Sequence, residues 1–203
     1  MSNPSSQYAS ILAPSVWNIF WKVKLPLKVL MFIWKFLHNC LPTFDNLRKR
    51  GIQVAGRCLM CDEMEESAVH LFLNCTCARA IWHGSNLGLR ASELEYTSAE
   101  QWLSQCIISS KDLEQNRMIY LQTIFTTLWS IWNHRNMVLH HGLIPNPIDV
   151  ILISQSLICR YQKAFNHHQM QENRPSAKQT MQRIPHQKWQ FLIKVAASKN
   201  SRN

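Results

Sequence analysis

Three cysteines and one histidine fall within 18 residues of the stretch "CLMCDEMEESAVHLFLNC", as Cys58, Cys61, His70 and Cys75. The spacing is C-x2-C-x8-H-x4-C. A tight turn between the first two sulfurs can aim both at one ion, and zinc takes thiolate and imidazole ligands at about 2.0–2.3 Å in a tetrahedron. Ser67 can cap a short helix that carries His70 on one face and leaves Cys75 just beyond its end. Four protein ligands fill the tetrahedron, so such an ion clasps the chain and leaves no position for a catalytic water. Glu63, Glu65 and Glu66 are close in sequence, but no spacing requires one of them to act as a general base. Cys77 and His83 compete for the fourth position. Cys77 follows Cys75 too closely for both sulfurs to bind comfortably, so it is taken as a spare thiol. Cys40, Cys106 and Cys159 stand singly in helical patterns and are expected to pack as small apolar side chains.

The elements that must position this cluster are helical. Pro26 and Pro42 bracket an apolar helix with Lys28 and Lys35 in line at i and i+7 and Lys24 one turn before, forming a basic ridge. "LPTFDNLRKRGI" follows as a second helix, with Thr43 as N-cap, Phe44 and Leu47 inward, Arg48, Lys49 and Arg50 in the last turn and Gly51 as its stop. Beyond the cysteines, "CARAIWHG" continues as a helix. Two further helical patterns cover 99–110 and 116–135, the longer with Leu121, Ile124, Phe125, Leu128, Ile131 and Trp132 at spacings of three and four. A last amphipathic helix is expected from Ile148 to about His168, and the segment from Gln169 onward has the composition of a linker. The fold class is therefore mainly α: a small zinc-stabilised helical domain, a helical segment, and a disordered basic tail. The expected divisions are 1–15 as a flexible N-terminus, 16–90 as the zinc domain, 99–168 as a helical connector and 169–203 as the tail.

Charge is unevenly placed in a chain of net charge +10. Residues 1–57 carry eight basic groups against Asp45 alone, residues 58–115 carry three against nine acids, and residues 116–203 carry eleven against Asp149 and Glu172. Two basic segments flank an acidic middle, a pattern that fits a polyanion partner or a solvated basic surface. Seven cysteines is an odd number, and the opening "MSNPSSQYAS" is polar where an apolar targeting core would stand. A reducing compartment, nucleus or cytoplasm, is expected, without secretion. The most apolar run, Val29–Trp34, lies between Lys28 and Lys35 and falls short of the roughly 20 apolar residues a membrane span needs.

"VWNIFWKVKLPLKVLMFIWKFLHNCLPTFDNLRKRGI", then "CLMC", then "AVHLFLNCTCARAIW" together resemble the zinc-binding domain that follows the reverse transcriptase in plant non-LTR (LINE-type) retrotransposon polyproteins. The resemblance covers about residues 16 to 83 and joins ligands to landmarks that are not ligands: tryptophans before a Pro-Lys-Val type of helix, Leu-Pro-Thr, Asn-Leu before a basic run, and His-Leu-Phe. It implies one structural Zn2+ on Cys58, Cys61, His70 and Cys75. Leu27 replaces a second proline and Cys77 an apolar residue, and neither departure touches a ligand. Farther on, "LWSIWNHRNMVLHHG" resembles the Trp-x-x-Arg-Asn helix that joins such domains to an RNase H domain. The end, "KWQFLIKVAASKNSRN", resembles the first RNase H strand, but Ala196 and Ala197 occur with no aspartate after them.

Polymerase and RNase H chemistry need clustered carboxylates to hold divalent ions. Beyond residue 120 only Asp149 and Glu172 are acidic, and neither a paired-aspartate motif, nor a phosphate-cradling Gly-rich loop, nor Gly-x-Ser-x-Gly occurs. No catalytic residue is assigned. The expected function is a non-catalytic zinc module that binds nucleic acid, RNA or DNA, through Lys24, Lys28, Lys35, Arg48, Lys49, Arg50 and Arg57. Phe44 or Phe72 would then either stack on bases or belong to the core. The alternatives are a structural or protein-interaction module that packs on a reverse transcriptase domain, and a remnant reading frame without selected function. Zinc loss is expected to melt residues 43 to 83 while the later helices stay partly formed.

Overall fold

Leu27–Leu37 (α2) shows why this chain is helical. Val29, Leu30, Phe32, Ile33, Phe36 and Leu37 turn inward, while Lys28, Met31 and Lys35 remain exposed. Pro26 supplies its start, where a missing N–H costs nothing. A computed structural model describes residues 14–54, 56–90 and 98–172; the expected flexible start up to residue 13 and the expected basic tail from residue 173 lie outside the described residues, while 14–15 and 169–172, assigned to those segments from the sequence, belong to the first and last helices. The elements around α2 are α1 (Pro14–Phe20), α3 (Phe44–Lys49), a π-helical turn (His70–Asn74), α4 (Thr76–Gly84), α5 (Ala99–Ser109), a 3-10 turn (Ser110–Asn116), α6 (Arg117–His141) and α7 (Pro147–Glu172). The fold is mainly α, as its sequence pattern requires; among the described residues β pairing is limited to one isolated bridge, Arg57 with Glu65.

The central element is α6. Its stripe Leu121, Ile124, Phe125, Leu128, Ile131 and Trp132 is buried, and Phe32 of α2 meets Trp129 and Trp132 at ring-centroid distances of 5.3 and 6.2 Å. The opposite side of α6 is covered too, so Gln122, Thr123, Thr126, Thr127 and Ser130 are also buried. Their polar atoms mostly find partners: the Gln122 amide donates to the Lys24 carbonyl at 2.7 Å, and Thr123 and Ser130 donate to carbonyls one turn back. The helix runs six residues past Arg135, the end that its sequence pattern predicts. No residue from Asn136 to His141 breaks a helix, and Gly142, at φ 64°, is the first that can take the left-handed stop.

One buried apolar cluster gathers side chains from Val16 to Tyr161. It includes Leu71, Phe72 and Leu73 of the π turn, Trp82 of α4, and Trp102 of α5, with Trp82 and Trp102 edge to face at 5.4 Å. The Asn146 N–H donates to Nε2 of His134 at 3.1 Å and fixes the α6–α7 turn, and burial lowers the His134 pKa, which keeps that nitrogen an acceptor. All of this packing lies in the first of two compact units, Met1–Asn166; of the second, His167–Asn203, only helical backbone as far as Glu172 is described. No helix among the described residues is long and apolar enough to cross a membrane.

Candidate metal centre

A knuckle and a widened helical turn bring the four ligands together. In the knuckle, the Cys58 N–H donates to Met64 O and the Asp62 N–H to Cys58 O, both at 2.8 Å, and Asp62 takes a left-handed φ of 56° to close the turn. Cys58 and Cys61 thus sit at the tip of a tight loop whose base is the Arg57–Glu65 bridge. On the other side, the Ser67 hydroxyl accepts the His70 N–H at 3.1 Å, as the sequence suggested. The Cys75 N–H then closes on His70 O at 2.7 Å, a bond from residue i+5 to i. This π-type closure brings position 75 back over position 70, and such turns are frequent at functional sites. Buried Leu71, Phe72 and Leu73 anchor the turn, and the Trp82 indole donates to Phe72 O at 2.7 Å.

The resulting cluster of Cys58, Cys61, His70 and Cys75 has all four ligand atoms within 4.8 Å of one another. The Cys58 and Cys75 sulfurs are 3.9 Å apart, and Cys61 Sγ lies 3.2 Å from His70 Nε2. Adjacent vertices of a Zn–S/N tetrahedron are about 3.5–3.8 Å apart, so the donor set fits a single zinc ion without rearrangement of the backbone. The electrostatics also fit. A hydrogen bond from the Cys58 thiol lowers the Cys75 pKa to about 4, against the opposing effect of burial, with help from His70 and the backbone N–H groups of Ala78 and Cys77 at the start of α4. Cys58 is pushed up by that same hydrogen bond first and by burial second. One thiolate is thereby held ready in a buried pocket, and metal binding displaces the thiol protons that remain on the cysteine ligands. His83 is exposed and takes no part, while burial pushes the Cys77 thiol up to about 12, leaving it inert.

Other expectations from the sequence fare differently. Cys106 is buried as expected, but Cys40 and Cys159 are exposed, because each lies on the outer side of its segment. Phe44 and Phe72 are both core residues, 4% and 0% exposed, so neither is available to stack on a base. Thr43 precedes α3 in an extended conformation, but it makes no side-chain cap: its hydroxyl donates to Asp45, whose carboxylate accepts the Asn46 N–H instead. The basic residues divide into two groups. Arg48 pairs with Glu65 at 3.0 Å, Lys49 with Asp45 at 3.3 Å, and Arg57 donates to the Asp62 carbonyl. Lys28, Lys35 and Arg50 are exposed, and none makes an ion pair among the described residues; Lys24 is half-buried beside α6.

The least legible feature of the site is a buried ion pair behind it. Arg135 of α6 holds Glu66 through two bonds, Nη2 to Oε1 at 2.7 Å and Nε to Oε2 at 3.1 Å, with the side chains 2% and 0% exposed. The Phe44 N–H donates to the same carboxylate, and the guanidinium lies over the rings of Phe44 and Trp132. The main chain of Glu66 is also tied, its N–H to Gly56 O and its carbonyl to the Asp45 N–H. Glu66 thus joins the metal loop to α3 and α6. A clue was present in the sequence: Arg135 follows Leu128, Ile131 and Trp132 at helical spacing and so lies on the buried stripe.

A helical domain closed by a Cys3His zinc site is the class that this fold and geometry define. Residues 5–82 match the family model described as zinc-binding in reverse transcriptase, in accord with the retrotransposon-type zinc-binding domain that the sequence resembles. A protein of Arabidopsis thaliana named for ribonuclease H is 28% identical over 68 residues, which are 34% of this chain and 11% of that protein. The chain therefore spans only a small part of its relative. No solved structure matches it.

Thiol accessibility follows directly from this arrangement. In the zinc-loaded protein two cysteines, Cys40 and Cys159, should react rapidly with an aromatic disulfide reagent, because three thiolates are held by the metal and Cys77 and Cys106 are buried. Adding a strong chelator should release the three ligand sulfurs to the reagent. Rapid reaction of five thiols before chelation would contradict the assigned ligands.

Proposed function

We propose that this chain is a non-catalytic, zinc-stabilised module derived from a retroelement, and that it binds nucleic acid through the ridge of α2. The observation that carries this is the free charge of Lys28 and Lys35, exposed on one helix without an ion pair among the described residues. Lys24 and Arg50 extend the same basic N-terminal part. Arg48, Lys49 and Arg57 belong to it as well, but their partners Glu65, Asp45 and the Asp62 carbonyl reduce what each can offer to a phosphate. In this proposal zinc holds the scaffold, residues 16–90 form the binding domain, and residues 99–168 serve as the connector whose α6 supports it.

Binding of a labelled oligonucleotide to the full zinc-loaded chain, followed by fluorescence anisotropy across salt concentrations, tests the proposal. Neutralising Z phosphates on a single strand gives a log–log salt slope of about −0.7Z, so three or four lysine and arginine contacts predict a slope between about −2 and −3. Affinity that is absent at low salt, or indifferent to salt, would reject the electrostatic mode. A second proposal, docking on a neighbouring protein domain, is supported by exposed Leu143, Ile144, Ile148 and Leu152 around the α6–α7 turn. Association through that apolar surface should not weaken with salt.

A further inference from the structure

A cleft runs between α2 and α6, closed at one side by the Leu41–Leu47 segment, with a volume of about 510 Å³. That size lies within the range of small-ligand sites. Met31 and Leu139 line it while 40% and 41% exposed, above the buried rings of Phe32 and Trp132. Lys28 and Lys35 stand on the α2 side and His140 on the α6 side, and no aspartate or glutamate lines it. The charge of Arg135 at its floor is already neutralised by Glu66. Asn136 adds a directional group: its Oδ1 accepts from Arg135 Nη1 at 3.2 Å, which orients the amide so that Nδ2 is left to donate.

An apolar floor, an amide donor and two ammonium groups without an ion pair among the described residues form a set that an unpaired nucleotide matches. We infer that this cleft holds an unpaired nucleotide of a single strand, its base against Met31 and Leu139, its carbonyl edge toward Asn136, and its flanking phosphates on Lys28 and Lys35. The inference rests on the nucleic-acid proposal above and narrows it. A duplex keeps its base faces stacked inside and presents phosphates to a protein surface, so it would gain nothing from the apolar floor; an unpaired base offers a flat apolar face. Another cleft, beside the zinc knuckle, is a poorer place for a polyanion. There Arg48, Arg57 and Arg79 are interspersed with Asp45, Glu63 and Glu65, and the opposite charges cancel.

The test compares a fluorescein-labelled twelve-residue oligo(dT) with a duplex of equal length, using the full zinc-loaded chain. The variants are Lys28→Gln with Lys35→Gln, Leu139→Glu, and Arg160→Gln with Lys163→Gln as an exposed control pair on α7 that does not line the cleft; zinc content and circular dichroism report their folding. The expected results are tighter binding of the single strand than of the duplex and a loss of about tenfold for the α2 lysine pair. The salt slope of that pair should become shallower by about 1.4, as two lost phosphate contacts require. Leu139→Glu should weaken binding to a similar extent, and the control pair should change it little. Single-strand binding that survives both cleft variants would overturn the cleft while leaving nucleic-acid binding itself intact. No binding of either oligonucleotide by the native chain would reject both proposals, leaving an acidic amphipathic protein segment as the ligand that the cleft chemistry fits. Equal affinity for duplex and single strand would overturn the assignment of an unpaired base.

Discussion

Removing the zinc, by chelation or through His70→Ala, will unfold more than the loop that holds it. Structural zinc contributes about 10–16 kcal/mol in small zinc peptides, as much as the whole net stability of an ordinary domain, about 5–15 kcal/mol. The sequence pattern alone placed the resulting melt in residues 43 to 83. The packing extends it. Phe72, between ligands His70 and Cys75, lies 4.9 Å from Phe36 of α2 and 6.3 Å from Trp132 of α6, and all three belong to one buried cluster. When the π turn loses its ion, the Cys58 and Cys75 sulfurs are left as a thiol–thiolate pair in an apolar setting, and the turn has few other reasons to remain closed. Elemental analysis should find one zinc per native chain and none in His70→Ala. Circular dichroism of the zinc-free protein should show loss of helix beyond the metal loop, with α2 and α6 included. An unchanged melting temperature after complete removal of the metal would refute a structural role for the site.

What could be seen in the sequence depended on how far apart the partners lie. The ligands are local: a C-x2-C knuckle, a serine cap and an imidazole on the following turn are all set by neighbours in the chain, so their assembly could be anticipated. Helices α2 and α6 announced themselves through apolar spacing. The π closure of Cys75 on His70 was less visible, since a shift from an α to a π turn changes one hydrogen bond and leaves the residue pattern intact. The basic run of α3 looked like a ligand surface until the fold brought Glu65 to Arg48 across 17 residues of chain. Exposure of Cys40 and Cys159 depended on which side of each segment met the core, and a single small residue does not reveal that side.

The Glu66–Arg135 pair, 69 residues apart in sequence, is the longest-range element of the site, and its loss should have the second largest effect. Arg135→Ala leaves a carboxylate of zero exposure with the Phe44 N–H as its remaining side-chain partner, and breaking a buried pair in this way costs about 3–5 kcal/mol. Glu66→Gln strands the guanidinium in the same manner but keeps hydrogen-bonding capacity, so its cost should be smaller. If the pair acts as a unit, Glu66→Gln combined with Arg135→Met should recover much of the single-variant loss, because Met can pack over Phe44 and Trp132 where the guanidinium lay. Urea denaturation of the native chain, Glu66→Gln, Arg135→Met and the double variant gives the coupling directly, and simple additivity would show that the two side chains do not stabilise each other. Zinc affinity is the second readout. Glu66 ties Gly56 and Asp45 through its main chain, so freeing its side chain loosens the base of the knuckle, and Arg135→Ala should release zinc to a competing chelator faster than the native chain does. An arginine in α6 would then govern a metal it never touches, as expected of a helix that shares one core with the zinc loop.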